Sequence, residues 1–168
     1  MPCRNPRYTR PLAADRTEHS KNNETLFVTN VKVTDILERE MDFVIHDWME
    51  MAEKQEDLMH IFLKFDERID HLPRLLRDVI ARLRLGACTQ TSISVAASQH
   101  GSLRQKQGYT VPIMVEESRL LEVCIFNTLH KNSAQLDFIK LLPDVVTIVD
   151  EVDAQLKQQI VYHGGNTV

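Results

Sequence analysis

Apolar residues recur along this chain at intervals of three and four, and no segment shows the strict alternation of a half-buried strand. Ile36, Leu37, Phe43, Val44, Trp48 and Met51 share one broad face. That face predicts a helix of roughly five turns, with Thr34 placed to cap its first turn. The next stripe is sharper. In DHLPRLLRDVIARLRLG, Leu72, Leu75, Leu76, Val79, Ile80 and Leu83 repeat at helical spacing. Asp70 stands where a cap belongs, Pro73 suits a first turn and Gly86 stops the helix. Arg74, Arg77, Arg82 and Arg84 then fall on the solvent side.

Beyond the polar turn CTQTS, a third stripe of Ile93, Ala96, Ala97, His100 and either Leu103 or Arg104 runs up to Gly108. Thr110 is the expected cap of a fourth helix that carries Pro112 early and Met114, Leu121, Cys124, Ile125 and Thr128 on its inner side. Pro143 marks the point where a short turn becomes a long final helix. There Val145, Val149, Val152, Leu156 and Gln159 follow one another at +4, +3, +4, +3, the spacing of a heptad. The expected architecture is therefore an all-α helical bundle with short connections, each helix burying one stripe.

Composition narrows this picture without changing it. With 168 residues and 43% hydrophobic content the chain suits one globular domain. Residues 1–30 hold three of the six prolines, five basic and three acidic residues and no apolar period, the composition of a flexible leader. The helical domain is expected over 31–163, with 164–168 as a tail. A net charge of -4 gives no general attraction to nucleic acid or anionic membrane surfaces. No run reaches the roughly eighteen apolar residues of a membrane span, and no signal peptide is visible. Cys3, Cys88 and Cys124 are far apart and form no zinc-binding pattern, so a cytoplasmic location and no metal are expected.

Candidate chemistry concentrates in SQHGSLRQKQGYTVPIMVEESRLL, Ser98 to Leu121. His100 lies on the inner side of the third helix, Arg104 one turn further on and Glu117 on the inner edge of the fourth. If Gly108 turns the chain back, these groups converge. A buried carboxylate needs a cation beside it, so an ion pair of Arg104 with Glu117 is expected, with Glu116 as the alternative partner. Such a set serves either as a structural clasp or as a pocket for an anion or small polar ligand. A hydrolase lacks its parts: Ser98 and Ser102 point away from His100 on a helix, and no nucleophile elbow, phosphate loop or HExxH pair exists. His46, His60, His71, His130 and His163 are scattered and read as surface or capping residues. His100, with a cation four residues on, raises a phosphotransfer alternative, although HGSLR matches neither of the usual phosphoacceptor patterns.

The order H-G-x-x-R-x-x-Q-G-Y-T, carried by His100, Gly101, Arg104, Gln107, Gly108 and Tyr109 and followed by a helix with Glu117 and Leu121, resembles the RsbRD-type N-terminal regulatory domain. Such domains occur in RsbT co-antagonist proteins of bacterial stressosomes and at the front of sensor histidine kinases. IDHLPRLLRDVIARL and WMEMAEKQEDLM look like the same family's upstream helices, and the resemblance spans roughly 32–160. It implies a non-catalytic, helical sensory or regulatory module with Gly101 and Gly108 at helix junctions. It further implies a protein partner or a homodimer joined through the C-terminal helix. More loosely the pattern is similar to globin-coupled sensors, in which a haem-ligating histidine stands where this chain has Arg104. A globin-like bundle without haem follows, with no cofactor expected, while His100 one turn earlier keeps a haem alternative open.

Overall fold

The structure, a computed structural model, describes residues 31–86 and 94–164. The expected leader over 1–30, the CTQTS turn with Cys88, Ile93 and the last four residues of the expected tail lie outside the described residues. Among those described there are eight α-helices and no strand: α1 Val33–Arg39, α2 Met41–Ala52, α3 Glu56–Met59, α4 Phe65–Ile69, α5 Leu72–Leu85, α6 Val95–Lys106, α7 Val111–Lys131 and α8 Phe138–Gly164. A single 3-10 turn, Ser133–Gln135, links the last two. The all-α bundle is as the periodicity predicts. None of these helices is long and apolar enough to cross a membrane.

The apolar stripes close on one another around Trp48, Leu72, Leu76, Met114, Leu120, Ile125 and Ile148, all fully buried. α8 runs along one side against α5, α6 and α7, and α2 lies across α7. The tightest approach is between α6 and α8. A Cβ on Gly101 would collide with the Gln159 backbone carbonyl, so only glycine lets the two backbones meet there. Gly101 is thus a packing residue in the interior of α6, not a junction. Gly108, by contrast, stands at the α6–α7 turn with φ +83°, a conformation glycine adopts at little cost. Gly86, which ends α5, has φ +80°.

Local expectations depart from the structure where one side chain decided them. The first helix is two, because Glu40 leaves helical geometry (φ -99°, ψ 13°), and this lets α1 pack on α5 while α2 packs on α7. Lys32, not Thr34, is the N-cap of α1; Thr34 is buried inside the first turn. α5 starts after His71 rather than from an Asp70 cap, since Asp70 closes the short helix α4. α3 and α4 have no counterpart in the apolar stripes; their few buried anchors, Leu58 and Arg68, are too sparse to form one. Thr110 does occupy the N-cap of α7, though its hydroxyl makes no capping bond.

Two corrections concern the surface. Arg82 is buried, donating to the Gly86 carbonyl at 2.7 Å and lying near Glu151 and Asp150, because its position on α5 faces α8 instead of water. Arg74, Arg77 and Arg84 are exposed. Pro143 sits inside α8 rather than at its start. The missing N–H is tolerable in this second turn, where the neighbouring residues Phe138, Ile139 and Leu142 face solvent. The buried face of α8 centres on Ile148, Val152, Gln155 and Gln159. The heptad residues Val145, Val149 and Leu156 are only half-buried.

Candidate functional site

Three helices deliver four titratable side chains to one point. His71 comes from the start of α5, His100 and Arg104 from successive turns of α6, and Glu117 from the second turn of α7; all are buried. Their arrival has local causes. Ser94 caps α6, its hydroxyl accepting from the Ala97 amide at 3.0 Å, and its backbone is held on both sides by Gln158 of α8. Gly108 then reverses the chain so that α7 returns beside α6.

Arg104 is the hub. Its Nη2 donates to Glu117 Oε1 at 2.7 Å and its Nε to Glu117 Oε2 at 3.3 Å, a two-point pairing of guanidinium and carboxylate. Nη2 also donates to the Arg68 carbonyl at 3.0 Å and lies 3.2 Å from His71 Nδ1. Nη1 reaches Gln107 Oε1 at 2.7 Å and the Glu67 carbonyl at 3.3 Å. The guanidinium carbon lies 4.5 Å from the centre of the Tyr109 ring, a cation–π contact. One side chain therefore ties the end of α4 and the start of α5 to α6, the α6–α7 turn and α7.

Glu117 is equally committed. His100 Nε2 lies 2.9 Å from its Oε2, and His71 Nε2 lies 3.8 Å from its Oε1. Its backbone carbonyl accepts from Trp48 Nε1 at 3.1 Å. Burial by itself raises its pKa, but His71, His100 and Arg104 outweigh that and hold the carboxyl well below the usual carboxylate range. Burial, reinforced by His100 and Arg104, keeps His71 well below the ordinary imidazole value. The Tyr109 phenol, buried beside Glu117, is pushed up to about 12. The site thus contains one fixed cation, one fixed anion and two imidazole rings.

His100, Arg104 and Glu117, expected to converge, meet in the structure, with Gln107 and Tyr109 beside Arg104. Glu116 is the exception. It faces solvent and pairs with Arg119 on its own helix, because consecutive positions on a helix lie about 100° apart and only one of Glu116 and Glu117 can face the core. His71 is the residue the sequence reading missed. Its ring stacks on His100 at 3.7 Å between centres and 14° between planes, and meets the edge of Trp48 at 6.1 Å. The available signal was its register: His71 stands one, four, five and eight residues before Leu72, Leu75, Leu76 and Val79, on the inner face of the stripe.

The geometry limits the chemistry. His71, His100 and Glu117 place donor atoms within 4.8 Å of one another, yet imidazole lone pairs lie in the ring plane. Two rings stacked nearly parallel direct those lone pairs side by side, not toward a common ion at the roughly 2 Å distance that metal–nitrogen bonds need. Arg104 moreover occupies both oxygens of the carboxylate, and the set does not suit a resident metal. A phosphoacceptor must meet a partner at the surface, whereas His100 is 3% exposed. The cavity beside His71, His100 and Glu117 measures about 10 Å³, far less than a haem occupies. Cys124 is also buried, its thiol pushed up to about 12 chiefly by burial, which disfavours the reactive thiolate.

Fold and site together define an all-α bundle with a buried polar centre built around the Arg104–Glu117 pair. Comparison with protein families, with curated proteins and with solved structures finds no match.

Proposed function

We propose that this chain is a non-catalytic regulatory input module of bacterial signalling, of the RsbRD-like type used in stressosome or histidine-kinase systems, acting in the cytoplasm by protein–protein contact. The observation that carries the reading is the apolar face on the first half of α8. Phe138 is 76%, Ile139 83%, Leu142 61% and Val146 64% exposed, four large side chains within nine residues of one helix. Contiguous exposed apolar surface of this kind is typical of contact sites. The polar centre supports the reading from the other side. Arg104 and Glu117 are buried and spend their hydrogen bonds on protein partners, an arrangement suited to fixing helix angles and not to turning over a substrate.

The partner this face fits most simply is a second copy of the same helix, giving a homodimer that presents two paired α8 helices. A signal that altered the packing of α6 and α7 would reach that interface directly, because α8 lies against both. Sedimentation velocity over a wide concentration range tests the proposal. A dimer is expected for the native chain and a monomer for Leu142→Asp, with helical content unchanged by circular dichroism. A native chain that remains monomeric at every concentration, or a variant that still dimerises, overturns self-association through α8.

A further inference from the structure

We infer that the homodimer proposed above, on which this inference rests, joins its two α8 helices antiparallel and crossing at Leu142, so that Phe138 of each copy packs against Val146 of the other.

The outer side of α8 is one continuous stripe. Ile139, Leu142, Val146, Asp150, Asp153 and Lys157 follow one another at +3, +4, +4, +3, +4, the helical period, and all are exposed. Phe138 joins the start of the stripe. It is apolar as far as Val146 and charged beyond. The heptad residues Val145, Val149, Val152 and Leu156 lie further round the helix, half-buried or buried. The outer side therefore lacks the sustained apolar seam that a parallel coiled coil requires.

Charge separates the two orientations. A parallel pair sets each residue beside its own copy, bringing Asp150 to Asp150, Asp153 to Asp153 and Lys157 to Lys157, and like charges opposed across a contact disfavour it. Asp150 keeps Arg82 at 3.6 Å, so Asp153 carries most of this repulsion. Burial and then Asp153 raise the carboxyl pKa of Glu122, so the surroundings of Asp153 are already negative. An antiparallel pair removes the conflict. At about 1.5 Å per residue, Asp150 stands about 12 Å past Leu142, while the facing helix, beginning at Phe138, extends only about 6 Å that way. Both aspartates then lie beyond the helix–helix contact.

Size points the same way. The apolar side chains shrink along the stripe, from phenylalanine through isoleucine and leucine to valine. In a parallel pair two phenylalanines hold the helices apart at one end and two valines leave a gap at the other. The antiparallel pair sets large against small twice, with Leu142 on Leu142 at the two-fold axis, and fills the contact evenly.

Double electron–electron resonance between nitroxides on Lys157→Cys tests the orientation, in the full chain with Cys3 and Cys88 changed to serine. Cys124 is buried and stays. Antiparallel pairing separates the two labels by about 40–45 Å and parallel pairing by less than about 25 Å, from the helical rise and the usual spacing of packed helices. A distance above about 35 Å, lost when Leu142→Asp is added, is the expected result. A shorter distance overturns the antiparallel arrangement and leaves self-association standing. A dimer that sedimentation finds in the unlabelled chain but not in the labelled one puts Lys157 in the contact and also overturns it. A signal that survives Leu142→Asp assigns the dimer to another face, and a native chain that is monomeric at every concentration refutes the homodimer itself.

Discussion

The polar centre between α5, α6 and α7 and the apolar face of α8 invert the usual distribution of side chains. At the centre a guanidinium, a carboxylate and two imidazoles lie in the core. On α8 a phenylalanine, an isoleucine, a leucine and a valine stand in solvent. The difference separates polar groups matched within the chain from apolar groups with no match inside it. Charges inside a protein persist only if every strong group is matched, and Arg104 with Glu117 meets that condition through neighbours on several elements. Apolar groups outside have no such internal match. They add nothing to the stability of the isolated chain and remain available for another surface.

The contrast is broken most severely by removing one charge of the central pair. Glu117→Ala leaves the Arg104 guanidinium buried without its anion and is expected to destabilise the fold by about 3–5 kcal/mol, as for other broken buried pairs. Arg104→Ala should cost a similar amount, and the double variant far less than the sum, because the two belong to one network. Urea denaturation of the two single variants and the double variant gives the cycle. Additive losses would show that the two side chains act independently.

The next effect in size comes from Gly101→Ala. Its new Cβ meets a backbone carbonyl that cannot rotate away, so α6 and α8 must part, with an expected loss of about 1–3 kcal/mol from overpacking. Calorimetry that finds the variant as stable as the native chain would mean that the α6–α8 contact gives way easily.

Acidification acts on the same region with a smaller, graded effect. His71 has a folded-state pKa well below 6.5, so below pH 6.5 the unfolded chain binds more protons than the folded one. Stability is therefore complete above that value and falls as pH drops, by up to about 1.4 kcal/mol per pH unit for one proton. Glu117, whose pKa is also depressed, adds to the loss once pH passes below 4.5. Asp70, 3.6 Å from His71 Nδ1, is the acidic neighbour on the other side of the ring. Glu151, which burial pushes up, works in the opposite sense. His71→Asn should flatten the slope between pH 6.5 and 5 in urea melts, and an unchanged slope would assign the acid sensitivity elsewhere.

The smallest expected effect on stability is at the other region. Leu142→Asp removes no internal contact of consequence and should change the unfolding free energy of the monomer by no more than about 0.5 kcal/mol. Melts at a concentration where the native chain is monomeric check this. A large loss would make α8 a part of the core and not an open face.

Most of the fold is legible in the sequence. Helical spacing in five segments predicted an all-α bundle, and the inner positions of α5 and α7 follow that spacing closely because each packs along one broad face. Of the site, Arg104, His100 and Glu117 could be placed because a charge on an apolar stripe has to find a partner. His71 shares the inner register of Leu72, Leu75, Leu76 and Val79, but that register does not say which two rings will stack. Arg82 was misjudged for a related reason: its position borders the apolar stripe of α5, and only the path of α8 decides whether that border is wet.

What the sequence by itself determined is the set of helices and the identity of their inner faces, because both follow from the rotation of about 100° per residue and from the cost of exposing apolar side chains. What only the tertiary structure decided is which inner faces meet. The break at Glu40, the backbone contact at Gly101, the stacking of His71 on His100 and the bare half of α8 all depend on relative helix positions. Those positions are set by packing between residues distant in the chain, and no local pattern encodes them.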